Sequence, residues 1–132
     1  TNPKSVDALN DRESSPLTLA AYYNNLEVAK YLIQKVDNIN GNSKDGTPLM
    51  AAVVKGHIEI TKALIGAGAD PNLTDANGAT ALHYAVLFNN QELVSLLMDA
   101  NASAFMKNDG GQSPLDFAKM HNDKTLNTIL KK

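Results

Sequence analysis

Apolar residues recur at helical spacing in four places: Leu26, Ala29, Leu32 and Ile33; Ile60, Ala63 and Leu64; Leu93, Leu96 and Leu97; and Leu126, Ile129 and Leu130. Steps of three and four put such side chains on one face, so each run predicts a helix with a buried stripe. Ahead of each run lies a second apolar segment that opens on a small hydroxyl residue. The four openings are Ser15-Pro16-Leu17, Thr47-Pro48-Leu49, Thr80-Ala81-Leu82 and Ser113-Pro114-Leu115. A Ser or Thr hydroxyl accepts from an otherwise orphaned amide at a helix start. Proline directly after it suits the first helical position, which needs no donor. Ala20, Ala52, Ala85 and Ala118 follow at a fixed distance and let a neighbouring helix come close. The pattern predicts a pair of short helices, four times over.

The links fit the same plan. Asn24 with Glu27 and Asn89 with Glu92 have the spacing of a capping box at the start of the second helix, with Gly56 and Glu59 a looser copy. Gly68 and Asn101 stand where the second helix of their units should stop, and both tolerate the left-handed conformation. Lys44-Asp45-Gly46 and Asp75-Ala76-Asn77-Gly78 carry the residue chemistry of tight turns. From Pro16 to Pro48 is 32 residues, then 33 to Ala81 and 33 to Pro114. A fixed period of this size marks stacked supersecondary units.

Residues 45 to 72, from Asp45-Gly46-Thr47-Pro48-Leu49 to Gly68-Ala69-Asp70-Pro71-Asn72, resemble a near-consensus ankyrin repeat, and the likeness covers about residues 10 to 132. It implies an all-α ankyrin-repeat solenoid of stacked helix-turn-helix units with protruding β-turn fingers. The units are repeats over 10–41, 42–74 and 75–107 and a C-terminal capping repeat over 108–132. Residues 1–9 resemble the tail of an upstream cap, so the natural chain is expected to extend upstream, leaving Leu17 and Ala21 facing solvent on one side. Two departures, Glu13 for the turn glycine and Val36 for the helix-ending glycine, predict irregular turns in the first repeat.

Composition narrows the function. The chain has 132 residues, a net charge of -2 and no cysteine. That charge provides no basic field for nucleic acid. Without cysteine, a disulfide framework, a thiolate zinc site and a cysteine nucleophile are excluded. No apolar run reaches the roughly 18 residues of a membrane span. The histidines have structural readings: His83 in the turn-bonding place of Thr80-Ala81-Leu82-His83, His57 in a helix link, and His121 as an exposed cap residue. They share no metal-ligand spacing. No catalytic motif, cofactor or metal is expected.

What remains is recognition. In the family that the chain resembles, partners meet the inner-helix ends and the turn tips. Carried over position by position, the inner-helix residues are Tyr22 and Tyr23, Val54 and Lys55, Leu87 and Phe88, and Met120 and His121. Most are apolar or aromatic, the side chains favoured as interface anchors. At roughly 8–10 Å between packed helices the stripe would run over about 25–30 Å. The turn tips add a polar rim: Asp11, Arg12, Ser14, Lys44, Asp45, Ala76, Asn77, Ala79, Asp109 and Gln112. The expected partner is another protein, and the expected state is a monomer unless the uncapped N-terminal face pairs. Two alternatives stand beside a general binding module: a dedicated inhibitory or immunity-type subunit of an enzyme, and the ankyrin segment of a larger exported effector.

Overall fold

The computed structural model describes residues 15–41 and 46–131. These hold eight α-helices: α1 (Pro16–Tyr22), α2 (Leu26–Ile33), α3 (Pro48–Lys55), α4 (Ile58–Gly66), α5 (Ala81–Leu87), α6 (Gln91–Asp99), α7 (Pro114–His121) and α8 (Lys124–Leu130). Among the described residues no helix is long and apolar enough to cross a membrane.

Each odd-numbered helix starts as the hydroxyl motif requires. The side chains of Ser15, Thr47, Thr80 and Ser113 accept from the amides of Thr18, Met50, His83 and Asp116. In α7 the Asp116 carboxylate returns the bond to the Ser113 amide at 2.9 Å, and that bond holds its pKa below the ordinary value. These helices then stop on a left-handed residue: Asn24 (φ 60°), Gly56 (φ 75°), Asn89 (φ 53°) or Asn122 (φ 52°).

That stop moves the expected capping boxes. Asn24 and Asn89 end the first helix of their units, and the residue after each one caps the second. Asn25 accepts from the Val28 amide and Asn90 from the Leu93 amide, so Glu27 and Glu92 fall one place too early to close a box. Asp123 does the same for α8, whereas His57 makes no side-chain cap bond to α4. The ends of the second helices also differ as the residues predict. Gly68 (φ 94°) and Asn101 (φ 71°) turn left-handed, which lets the amides of Ala69 and Ala102 reach the carbonyls of Leu64 and Leu97 at 3.0 Å. Val36 does not turn; its amide bonds the Leu32 carbonyl at 2.9 Å, continuing the helical pattern.

The helices form two ranks, α1–α3–α5–α7 and α2–α4–α6–α8, with each unit packed on its neighbours. Ala52, Ala85 and Ala118 are fully buried where the ranks meet, as are Ile60, Leu64, Leu93, Leu97 and Leu126. Comparing units shows which way each face looks. Val28 is 42% exposed, while its counterparts Ile60, Leu93 and Leu126 are covered by the preceding unit and have no exposure. Leu17 and Ala21, expected to meet solvent, are buried at 1% and 0%, because they face α2 and the following unit. At the other end Lys119 and Asn127 replace the buried Val86 and Val94 of the unit before, so the last outward face is polar.

Asparagines tie successive loops together. Asn40 Oδ1 accepts from the Asp70 amide at 2.9 Å. One unit on, Asn72 Nδ2 donates to the Asn101 carbonyl at 3.0 Å while its Oδ1 accepts from the Ser103 amide at 2.8 Å. Two bonds at ~0.5–1.5 kcal/mol each predict that Asn72→Ala costs about 1–3 kcal/mol. Chemical denaturation checks this, and Asn72→Asp, which keeps the acceptor alone, should lose about half as much.

Candidate functional site

The turn finger between α4 and α5 is built on Asp75. Its Oδ1 accepts from the amides of Asn77 (2.9 Å) and Ala79 (3.0 Å), and its Oδ2 accepts from the Tyr84 hydroxyl of α5. The Gly78 amide closes the turn on the Asp75 carbonyl at 3.0 Å. Asn108 repeats the design in the next finger, accepting from Gly110 and Gln112. The two fingers are stitched by the Asp109 amide, which donates to the Asn77 carbonyl at 2.9 Å. A turn tip that would otherwise be a loose loop becomes a fixed polar edge.

Tyr84 titrates differently from a free phenol. Burial, then its bond to Asp75 and the charge of that carboxylate, push it up to about 12 from 10.0. A folded pKa above the unfolded one stabilises the fold fully below pH 10, and this contribution is lost as pH rises from 10 to about 12. Tyr84→Phe should therefore flatten the fall of unfolding free energy across that window. A fall of unchanged size would assign the alkaline loss to other groups.

His83, in the first turn of α5, performs the structural task expected of it. The ring is fully buried. Its Nδ1 accepts from the Thr80 amide at 3.0 Å, so Nε2 carries the proton and donates to the Gln112 carbonyl at 2.8 Å. One imidazole thus joins two fingers, with Phe117 edge-on to it at 5.4 Å.

The inner-helix residues fall into two contact groups. Tyr22 and Tyr23 end α1 with their rings edge-to-face, centroids 5.0 Å apart, and the Lys55 ammonium lies 4.9 Å over Tyr22. Tyr23 is 72% exposed. Further along, Leu87 and Phe88 close α5 and Met120 lies in α7, all exposed. His121 is exposed as expected but is not free: its Nε2 donates to the Leu87 carbonyl at 3.1 Å. His57 makes the same tie to the Tyr22 carbonyl at 3.0 Å. Each ring satisfies the last carbonyl of an inner helix in the preceding unit. Val54 is half-buried and so offers less surface than its counterparts Tyr22 and Leu87.

On the rim, Ala76, Asn77, Asp109 and Gln112 are exposed. Ala79, expected there, is buried at 6% because the finger bends it under the Asp75 clasp. Asp11, Arg12, Ser14, Lys44 and Asp45, like residues 1–9 and Glu13, lie outside the described residues.

Three exposed apolar side chains escaped the sequence reading: Val28, Tyr31 (59%) and Phe105 (69%). Superposing the units would have found two of them. Tyr31 stands where the other units have Ala63, Leu96 and Ile129, and Phe105 stands in the place of Asn40 and Asn72. Val28 and Tyr23 also line an open groove of ≈ 320 Å³ on the outer face of the first unit, floored by Leu19, Ala20 and Leu32.

A family model described as ankyrin repeats (3 copies) matches residues 2–75 and 60–132. Among curated proteins, a putative palmitoyltransferase of Danio rerio is 40% identical over 72 residues, covering 52% of this chain and 11% of that protein. An alpha-latrotoxin of Latrodectus hasselti is 40% identical over 72 residues, 54% of this chain and 5% of the toxin. A palmitoyltransferase of Kluyveromyces lactis is 38% identical over 89 residues, 63% of this chain and 12% of its own length. The chain thus spans between 5% and 12% of the length of these relatives.

Proposed function

This chain belongs to the ankyrin-repeat family, whose repeats are interaction modules, and from that premise we propose that it binds another protein through the inner-helix ends and finger tips, with no catalysis of its own. The observation that carries the reading is the repeated exposure of large apolar side chains at one register: Tyr22 and Tyr23, Leu87 and Phe88, and Met120. Singly exposed apolar residues are ordinary. Here equivalent positions of three units expose them, with neighbours that hold their backbones still. Rigid aromatic anchors inside a polar rim are the anatomy of a protein interface. With net charge -2 and one lysine among the inner-helix positions, the surface suits a protein better than a polyanion.

The test is an affinity pull-down from source lysate with the intact chain and with a Tyr23→Ala/Phe88→Ala variant. A protein recovered only by the intact chain supports the reading. Equal recovery by both moves the site elsewhere.

A second reading has its own support. The match covers a small share of each relative, which suits repeats that serve as the interaction segment of a longer polypeptide. In that reading the exposed Val28 face stacks on a neighbouring segment, as Ile60, Leu93 and Leu126 stack on the units before them.

A further inference from the structure

The chain contains two Asn-Gly pairs, Asn40-Gly41 and Asn77-Gly78. Glycine has no Cβ to shield its main-chain nitrogen, which leaves it free to approach the preceding side-chain amide. The fold treats the two pairs differently. Asn40 is half-buried, and its Oδ1 is engaged with the Asp70 amide, so its amide group is pinned between loops. Asn77 is exposed at the tip of a finger, where its side chain is hydrogen-bonded within its own unit to the Tyr84 hydroxyl.

Glycine is imposed at 78 by the stacking of fingers. Gly78 has φ +74°, and a Cβ there would lie 2.6 Å from Asp109 Oδ1 and 2.9 Å from the Asp109 nitrogen. The next finger carries Gly110-Gly111 at the equivalent places and forms no such pair. Packing therefore requires the glycine, and the residue before it is an asparagine that the surface leaves exposed. What restrains it is Asp75, whose carbonyl holds the Gly78 amide and whose Oδ1 holds the Asn77 and Ala79 amides.

We propose that Asn77 is a self-modification site, at which opening of the Asp75 clasp lets the Gly78 nitrogen attack Asn77 Cγ. The N–Cγ bond forms, the Cγ–Nδ2 bond breaks, and ammonia leaves with the proton from Gly78. Water then opens the cyclic imide to aspartate or isoaspartate. One water enters and one ammonia departs, with no further reactant. The product places a new carboxylate between Asp75 and Asp109, on the proposed rim. Its effect on binding rests on the reading above; the modification itself does not.

The experiment is peptide mapping by mass spectrometry while the full folded chain stands in mildly alkaline buffer. The amide-to-carboxyl mass gain should appear at Asn77 several-fold faster than at Asn40. Asp75→Ala, with its fold checked by circular dichroism, should speed conversion at Asn77 several-fold and leave Asn40 unchanged. Asn77→Gln should abolish the gain in the finger peptide. Conversion at Asn40 as fast as at Asn77 in the intact chain would overturn the proposal. So would an Asn77 rate indifferent to loss of Asp75 in a folded variant.

Discussion

Leu64→Ala should destabilise the protein by about 2–5 kcal/mol. The side chain has no exposure. Truncation would remove apolar contacts and leave a hole that helices on both sides cannot collapse to fill. Its position raises the stake. In a stacked array each unit contacts only its neighbours, so a defect in an interior unit weakens two interfaces at once. Domains have only about 5–15 kcal/mol in hand, and the loss is a large part of that. Chemical denaturation should show a lower midpoint with an unchanged slope. Leu87→Ala is the control: Leu87 is 41% exposed, and its truncation should cost far less. Similar losses at the two sites would mean that the unit's interior is not the packed core described here.

The Tyr23→Ala/Phe88→Ala variant should behave in the opposite way, folding normally and losing affinity for the protein recovered by the intact chain. Both side chains are mostly in solvent, so unfolding free energy should stay within about 1 kcal/mol of the parent. Anchors that fill a partner's pockets cost roughly 2 kcal/mol or more each when truncated. If the two add, they predict an affinity lower by roughly 1,000-fold. Isothermal titration with the recovered partner reads this directly. Tyr23 also leans on Tyr22, which carries Lys55 over its face. A Lys55→Ala variant with near-normal affinity would then identify the rings as the contact and the cation as their support. Unchanged affinity in the folded double variant would retire the inner-helix surface.

Much of this architecture was legible before any coordinates. Helix starts are local events: Ser15, Thr47, Thr80 and Ser113 cap amides three residues on, and those pairings need nothing beyond the segment itself. Gly68 and Asn101 ended helices as their residue types predict, and Val36 failed to turn for the same reason. The repeat period turned four local patterns into one stack. The family match over residues 2–75 and 60–132 agrees with it.

Other features were undecidable along the chain. Asn24-Asn25 and Asn89-Asn90 each offer two caps, and only the backbone turn assigns the first to ending one helix and the second to starting the next. His121 could be placed on the surface but not paired with the Leu87 carbonyl, 34 residues away. Ala79 lies in a turn yet is buried, because its finger folds around Asp75.

The sequence alone determined the helices, their order and the hydroxyl caps that open the first helix of each unit. Tertiary structure decided which side of each helix is covered. Helical periodicity marks one apolar stripe, whereas a helix inside a stack is walled by its own partner and by units before and after it. Leu17, Ala21 and Val28 are all apolar, and nothing local separates them. The first two are sealed and the third is open because burial depends on which neighbouring unit is present to cover each face.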